Sequence, residues 1–253
     1  MASIGRFHLF FLATAFLISF SATAQDNPNE YVEEKPPLMK NEFVFGINIH
    51  SQGWGFDFRR GKNLTVNKKR MLEAEIVNMK HLKEAKSVNP YYENAKSFFY
   101  GKMNTLTVLR LGAGQQQVIF SKAEKSGVEV RFNVTGGLSL GFAKPVYLNI
   151  VKTDPAGASY LEIERYDPLV HFIDDIYGRA SFTYGLSEIK VYPGLYAKAG
   201  LAFEHGQHFD RVRILEAGVI VDAYGKEIPV MAFTENNEVY LTLYINVLFG
   251  KKW

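Results

Sequence analysis

The stretch "VEVRFNVTGGLSLGF" (residues 128–142) alternates without a break. Val128, Val130, Phe132, Val134, Gly136, Leu138, Leu140 and Phe142 fall on one side of an extended chain; Glu129, Arg131, Asn133, Thr135, Gly137, Ser139 and Gly141 fall on the other. Successive side chains of a strand point to opposite faces, so one face here is apolar and the other is charged, polar or small. Strands of soluble domains usually run about 5–6 residues. An alternation this long needs an apolar surrounding along one whole face.

The same period recurs on both sides of it. "EFVFGINIH" (42–50), "GWGFDFRR" (53–60) and "RMLEAEIVNM" (70–79) come before; "LYAKAGLAFEH" (195–205), "RILEAGVIVDA" (213–223) and "NNEVYLTLYINVLFGKKW" (236–253) come after. In the last of these Val239, Leu241, Leu243, Ile245, Val247 and Phe249 share the apolar face. From Ser97 to about residue 118 the pattern reads as one or two strands with a phase slip near Leu109, as a β-bulge would produce. A short strand is expected around 181–190.

Period two fits two opposite arrangements. In a soluble sandwich or lipocalin-like barrel the apolar face points inward; in a membrane barrel it meets lipid, and the interior takes charge and small groups. The content of the faces decides. Asp57, Glu73, Glu75, Glu129, Arg131, Lys198, Glu204, Glu216 and Asp222 share the polar faces with Gly46, Gly53, Gly55, Gly137, Gly141, Gly200 and Gly218. A water-facing surface has little use for glycine, whereas small residues relieve crowding on the concave side of a tightly curved sheet. Hydrocarbon leaves free backbone groups unsatisfied, so a sheet that crosses it must close, last strand on first.

The expected fold is therefore all-β, a closed antiparallel transmembrane β-barrel of eight strands, with ten as the alternative. Val130, Phe132, Val134, Leu138, Leu241, Leu243 and Ile245 are expected to face lipid, and Glu129, Arg131, Lys198 and Glu216 to form a charge network in the lumen. Such pairing would seal the lumen. Arginine at Val134 or Leu243 should impair insertion; at Thr135 it is expected to be milder.

The ends and the bulk properties agree with export. Arg6, the apolar run Leu9 to Phe20 and Ala22-Thr23-Ala24 ahead of Gln25 read as a signal peptide over residues 1–24. Residues 25–41, polar and rich in proline, read as a flexible periplasmic segment, and 42–253 as the barrel, with long irregular segments near 80–97 and 152–180. The chain has no cysteine, which excludes disulfides and a lipidated cysteine anchor. A net charge of +3 is too small to suggest nucleic-acid binding. After the signal, no apolar run reaches the roughly 18–20 residues of a membrane helix.

Chemistry-bearing groups are few. His50-Ser51, His171 with Asp174 and Asp175, and Glu204-His205 with His208 are candidates for acid–base work or metal binding. None has a spacing that requires chemistry, and no catalytic, metal or cofactor residue is expected. Tyr240, Tyr244 and Trp253 read either as an interfacial aromatic girdle or as ordinary sheet aromatics.

With the signal ending "SATAQ", "GVEVRFNVTGGLSLGFAKPVYL" (127–148), "VYPGLYAKAGLAFEHG" (191–206) and the terminal "LYINVLFGKKW" (243–253), the chain resembles the small outer-membrane β-barrels of Gram-negative bacteria, and more closely their Bacteroidota type. The resemblance implies a location in the outer membrane and brings no catalytic residues with it. It also implies that a terminal aromatic, Phe249 or Trp253, helps the insertion machinery recognise the last strand. The expected partners are outer-membrane lipid and an envelope or secretion-complex protein, with "RRGKNLTVNKKR" (59–70) as a basic periplasmic connection. A non-enzymatic structural or accessory role is expected. A narrow channel or transporter is the alternative, followed by a rim enzyme acting on lipid or peptide.

Overall fold

The computed structural model describes residues 39–122, 127–205 and 211–253; the signal peptide expected over 1–24, most of the segment 25–41, and His208 lie outside the described residues. Eight strands close into an antiparallel barrel: β1 (Asn41–His50), β2 (Gly53–Asn63), β3 (Lys68–Met79), β6 (Asn104–Phe120), β7 (Val128–Pro145), β11 (Lys190–His205), β12 (Arg211–Tyr224) and β13 (Val239–Lys252). Between β3 and β6 lie the short strands β4 (Lys86–Ser87) and β5 (Phe98–Phe99), which pair with each other. β8 (Tyr147–Thr153), β9 (Ser159–Arg165) and β10 (Ile176–Arg179) form a separate sheet in the order β10-β8-β9.

β13 pairs with β1, Phe45 opposite Phe249 and Asn48 opposite Asn246, which closes the barrel and leaves it no free edge. The turns at the end holding Asn41 and Lys252 are short. In one of them Leu64 and Thr65 both donate to the carbonyl of Lys68, and the Lys68 amide donates to the Thr65 hydroxyl. The opposite end carries the long connections 80–103, 146–189 and 225–238; there only Ser51 and Gln52, between β1 and β2, make a tight turn.

Along the barrel strands exposed residues alternate with buried ones, and away from the strand ends near Asn41 and Lys252 the exposed set is the apolar one. Phe45, Phe56, Phe132, Leu138, Leu195, Leu241 and Leu243 stand outward and are each 42–64% exposed, whereas Asp57, Glu75, Arg110, Glu216 and Asp222 are fully buried. A water-soluble protein has the opposite arrangement. The chain is an outer-membrane, multi-pass β-barrel.

Several local expectations are corrected. Residues 152–180 are irregular only in part: β8 and β9 make a hairpin there, turned by Asp154, whose carboxylate accepts from the amides of Ala156 and Ala158, and by Gly157 at φ +87°. That Asp-Pro-x-Gly turn is legible in the sequence. No strand forms over 181–189; a 3₁₀ turn (Leu186–Glu188) leads into β11. β6 has no slip at Leu109. It keeps its phase from Asn104 to Val118, and the bulge comes later, between Val118 and Phe120. The slip is only apparent because Leu106 and Val108, on the inward phase, line a part of the lumen that is itself apolar. Tyr240 and Tyr244 are not girdle residues, since they lie on the inward face at 5% and 2% exposure.

Candidate functional site

Inward side chains cluster at successive levels of the lumen. Near the chain termini, Lys69 pairs with Glu42 at 2.5 Å, Arg131 pairs with Glu129 and, at 2.8 Å, with Glu204, and Lys252 pairs with Glu204. Val44, Ala202, Val212, Ile214 and Leu248 pack above this ring.

Mid-barrel lies the densest cluster. Arg59 reaches Asp57 and Glu216 at 2.5 Å and Glu73 at 3.3 Å. Lys198 bonds Glu75, lies 2.7 Å from Glu73 and 3.5 Å from Asp57, and faces Glu216 at 3.9 Å. Arg110 takes Glu75 at 2.9 Å and holds Asp222 through two nitrogens at 2.7 and 2.9 Å.

Five carboxylates thus share three cations, and four of the five also accept from neutral donors. Asn246 donates to Asp57, Asn48 to Glu75, Asn133 and the Tyr244 hydroxyl to Glu216, and Ser139 to Asp222. A buried charge is tolerable only when paired and hydrogen-bonded in this way. Glycine makes the fit possible: a Cβ at Gly112 or Gly200 would overlap the hydroxyl of Tyr196 or Tyr244. The carboxylates of Asp57, Glu73 and Glu75 lie close enough together to hold a cation, and the Lys198 ammonium already sits among them.

The loop end is closed by an apolar plug. Val77, Met79, Leu106, Val108, Tyr192, Tyr224 and Tyr240 from the strands meet Ile228, Val230 and Met231 from connection 225–238. That connection is stitched over the mouth. Met103 donates to the carbonyl of Val230 at 3.0 Å, Ala232 to that of Gly101 at 2.7 Å, and the Asn104 side chain to that of Pro229 at 2.6 Å. The Asn236 side chain fixes its curve by accepting from Val230 and Met231 and donating back to the Met231 carbonyl.

All four expected lumen charges point inward, but in two separate groups: Glu129 and Arg131 in the ring near the termini, Lys198 and Glu216 mid-barrel. Phe132, Val134, Leu138, Leu241, Leu243 and Ile245 point outward and are exposed, and Val130 is half-exposed on the same side. Thr135 is 3% exposed, and its hydroxyl stands over Gly114, so an arginine there would be forced into packed space and would not be mild. Arg59, though in phase on its strand, and Arg110 escaped the expected network; the apparent slip beside Arg110 hid its inward phase. Nothing in the periodicity marks 225–238 as a plug.

Two of the histidine candidates, His171 and His50, are held in local structure. His171 Nδ1 accepts from the Asp167 amide and Nε2 bonds Glu164 at 2.8 Å, so Asp174 and Asp175 are not its partners. His50 Nδ1 accepts from the Gln52 amide, and the Ser51 hydroxyl accepts from the Leu243 amide. His205 is exposed on the outer side of β11. In the loop sheet, hydrogen bonds from Lys152 and His171 hold the Glu164 carboxyl below its ordinary range.

Outward-pointing cations collect near the chain termini: Arg60, Lys62, Lys68, Arg70, Arg211, Arg213 and Lys251, all exposed on neighbouring strands. At the same end of the barrel the carboxylates of Glu42, on β1, and Glu204, on β11, lie inside.

No protein-family model matches the chain, and no curated protein matches it by sequence. Among solved structures it is similar to Ail, the attachment invasion locus protein of Yersinia pestis, with a TM-score of 0.41 at 9% identity over 85% of this chain and 100% of that one. Ail in complex with the heparin analogue sucrose octasulfate gives 0.39 at 8% identity over 85% and 100%. Neisserial surface protein A gives 0.38 at 11% identity over 84% of this chain and 95% of that one.

Proposed function

We propose that this protein is a sealed, non-enzymatic barrel that works through what it displays at its loop end, as a structural or accessory subunit of an envelope or secretion complex. The observation that carries the reading is the closed lumen: Asp57, Glu75, Arg110, Glu216 and Asp222 have no exposed surface and lie beneath an apolar plug. A solute would have to break several buried ion pairs and displace Ile228, Val230 and Met231. Wide pores need twice the number of strands.

In this reading Val130, Phe132, Val134, Leu138, Leu241, Leu243 and Ile245 face lipid. The termini and the 63–68 turn are periplasmic and the long connections are external. The exposed cations near the termini rest among phosphate head groups of the periplasmic leaflet. The Bacteroidota affiliation belongs to the same reading and rests on the sequence stretches alone.

The test is conductance of the purified protein in planar lipid bilayers. The reading expects no unitary current steps at potentials where a porin control conducts. Regular steps would establish a narrow channel instead. Purification from native membranes in mild detergent supplies the second arm, in which an accessory subunit brings an envelope protein with it at fixed stoichiometry.

A further inference from the structure

The long connections do more than cover the mouth. Connections 80–103 and 146–189, with Thr105 and Lys144 at the adjoining ends of β6 and β7, line an open cleft of about 750 Å³. Its walls are fixed. The buried side chain of Asn89 donates to the carbonyls of Ile173, Asp174 and Ile176, and the Lys96 amide donates to the carbonyl of Tyr177 at 3.1 Å. At Gly178 any Cβ would strike the Lys96 carbonyl, so glycine is what lets the two connections meet.

The lining has a strong bias. Lys96, Lys102, Lys144 and Arg179 contribute to it, and none of the residues lining the cleft is acidic. Lys102 is neutralised by Glu84 at 2.7 Å. The other three cations have no carboxylate within ion-pair distance among the described residues. Lys144 is the telling one. It is only 9% exposed, yet its ammonium has a single hydrogen-bond acceptor, the Tyr184 carbonyl at 2.9 Å, and lies 4.8 Å from the centre of the Phe182 ring. An ammonium offers three donors, and a buried one is ordinarily paired. Among the described residues every other buried cation pairs with at least one carboxylate, so a buried lysine that has none and faces a basic cleft is suited to an anion from outside. Phe182 and Tyr184, 70% and 42% exposed beside it, offer apolar ring faces to whatever carries that anion.

We propose that this cleft is a binding site for a phosphate-type anion carried on an apolar or ring-shaped body. The oxyanion contacts Lys144, with Lys96 and Arg179 contributing charge, and the body lies on Phe182 and Tyr184. A phosphate presents several acceptors and so takes more than one cation at once. Its carrier is either a soluble molecule or a phospholipid head group of the surrounding leaflet. The site lies outside the barrel lumen, so a conducting barrel would leave the inference standing.

The test uses the full chain in nanodiscs of phosphatidylcholine and isothermal titration with 1-naphthyl phosphate, 1-naphthol and inorganic phosphate. Saturable binding of 1-naphthyl phosphate is expected, with each of the other two at least about tenfold weaker, since each keeps only half of the contacts. Lys144→Gln and Arg179→Gln should each weaken 1-naphthyl phosphate by about tenfold or more. Lys226→Gln, outside the cleft lining, should leave it unchanged. The heat-dependent gel mobility of a folded barrel establishes that each variant is assembled. Repeating the titration in nanodiscs containing phosphatidic acid separates the sources: loss of 1-naphthyl phosphate binding there identifies a lipid-borne anion, and retention identifies a soluble one. The inference is overturned if 1-naphthyl phosphate shows no saturable binding, if 1-naphthol binds as tightly, or if assembled Lys144→Gln and Arg179→Gln proteins bind like the parent.

Discussion

Replacing Lys198 with methionine tests the central claim about the interior. The side chains are similar in length, so the change removes charge with little change in volume. Lys198 meets four carboxylates, those of Glu73, Glu75, Asp57 and Glu216, and its side chain is 1% exposed. Without it, Arg59 and Arg110 are left as the cations for Asp57, Glu73, Glu75, Glu216 and Asp222. Water cannot take the lost role in a space this closed. Removing one partner of a buried ion pair costs about 3–5 kcal/mol, and here the cost belongs to the upper part of that range because several carboxylates lose their counter-charge together. With a urea slope of roughly 2–3 kcal/mol per molar, the unfolding midpoint in detergent micelles or vesicles should fall by about 1.3–2.5 M. A second substitution, Glu75→Gln, removes one of the stranded charges, and the carboxamide oxygen it introduces can still accept from Arg110. The double variant should therefore recover a substantial part of the loss, a coupling that a double-mutant cycle measures directly. If Lys198→Met unfolds within about 0.5 kcal/mol of the parent, the network is not what the interior depends on.

Two further outcomes follow from the same architecture. Val134→Arg and Leu243→Arg each place a charge on the outer face near mid-strand, where burial in lipid costs about 2–4 kcal/mol; both should lower the yield of folded barrel in vesicle-insertion assays, and normal assembly of both would remove the lipid-facing assignment. The Glu164 carboxyl is held below its ordinary value of 4.5 by Lys152 and His171, so its contribution to the β8–β9 hairpin is complete above that value and is lost as the pH falls through the lowered one; amide exchange of Leu148 to Thr153 should accelerate in acid, and Glu164→Gln should abolish that acid step.

How much of this was legible beforehand depends on range. Strand phase is a local property, because each residue's face follows from its neighbour's, so the outward set on β7 and β13 and the inward charges Glu129, Arg131, Lys198 and Glu216 could be placed without coordinates. Phase fails where the environment changes along a strand. Leu106 and Val108 face inward into an apolar region, which made a regular strand look broken and concealed Arg110 beside them. The hairpin at 147–165 carried a readable turn at Asp154 to Gly157 that the acidic composition of the segment masked.

From the sequence alone came the closed barrel, its apolar exterior and its charged interior, since alternation and the need to satisfy every backbone group in hydrocarbon leave few other solutions. Tertiary structure alone decided which charges meet. Arg59 and Glu216 stand 157 residues apart in the chain and Lys198 and Glu75 stand 123 apart, and only the closure of the sheet brings them within bonding distance. The same holds for the loop end, where Lys144 and Tyr184, or Asn89 and Ile176, come together through folded connections that no strand period describes. Alternation states which way a side chain points; what it points at depends on where the rest of the chain has gone.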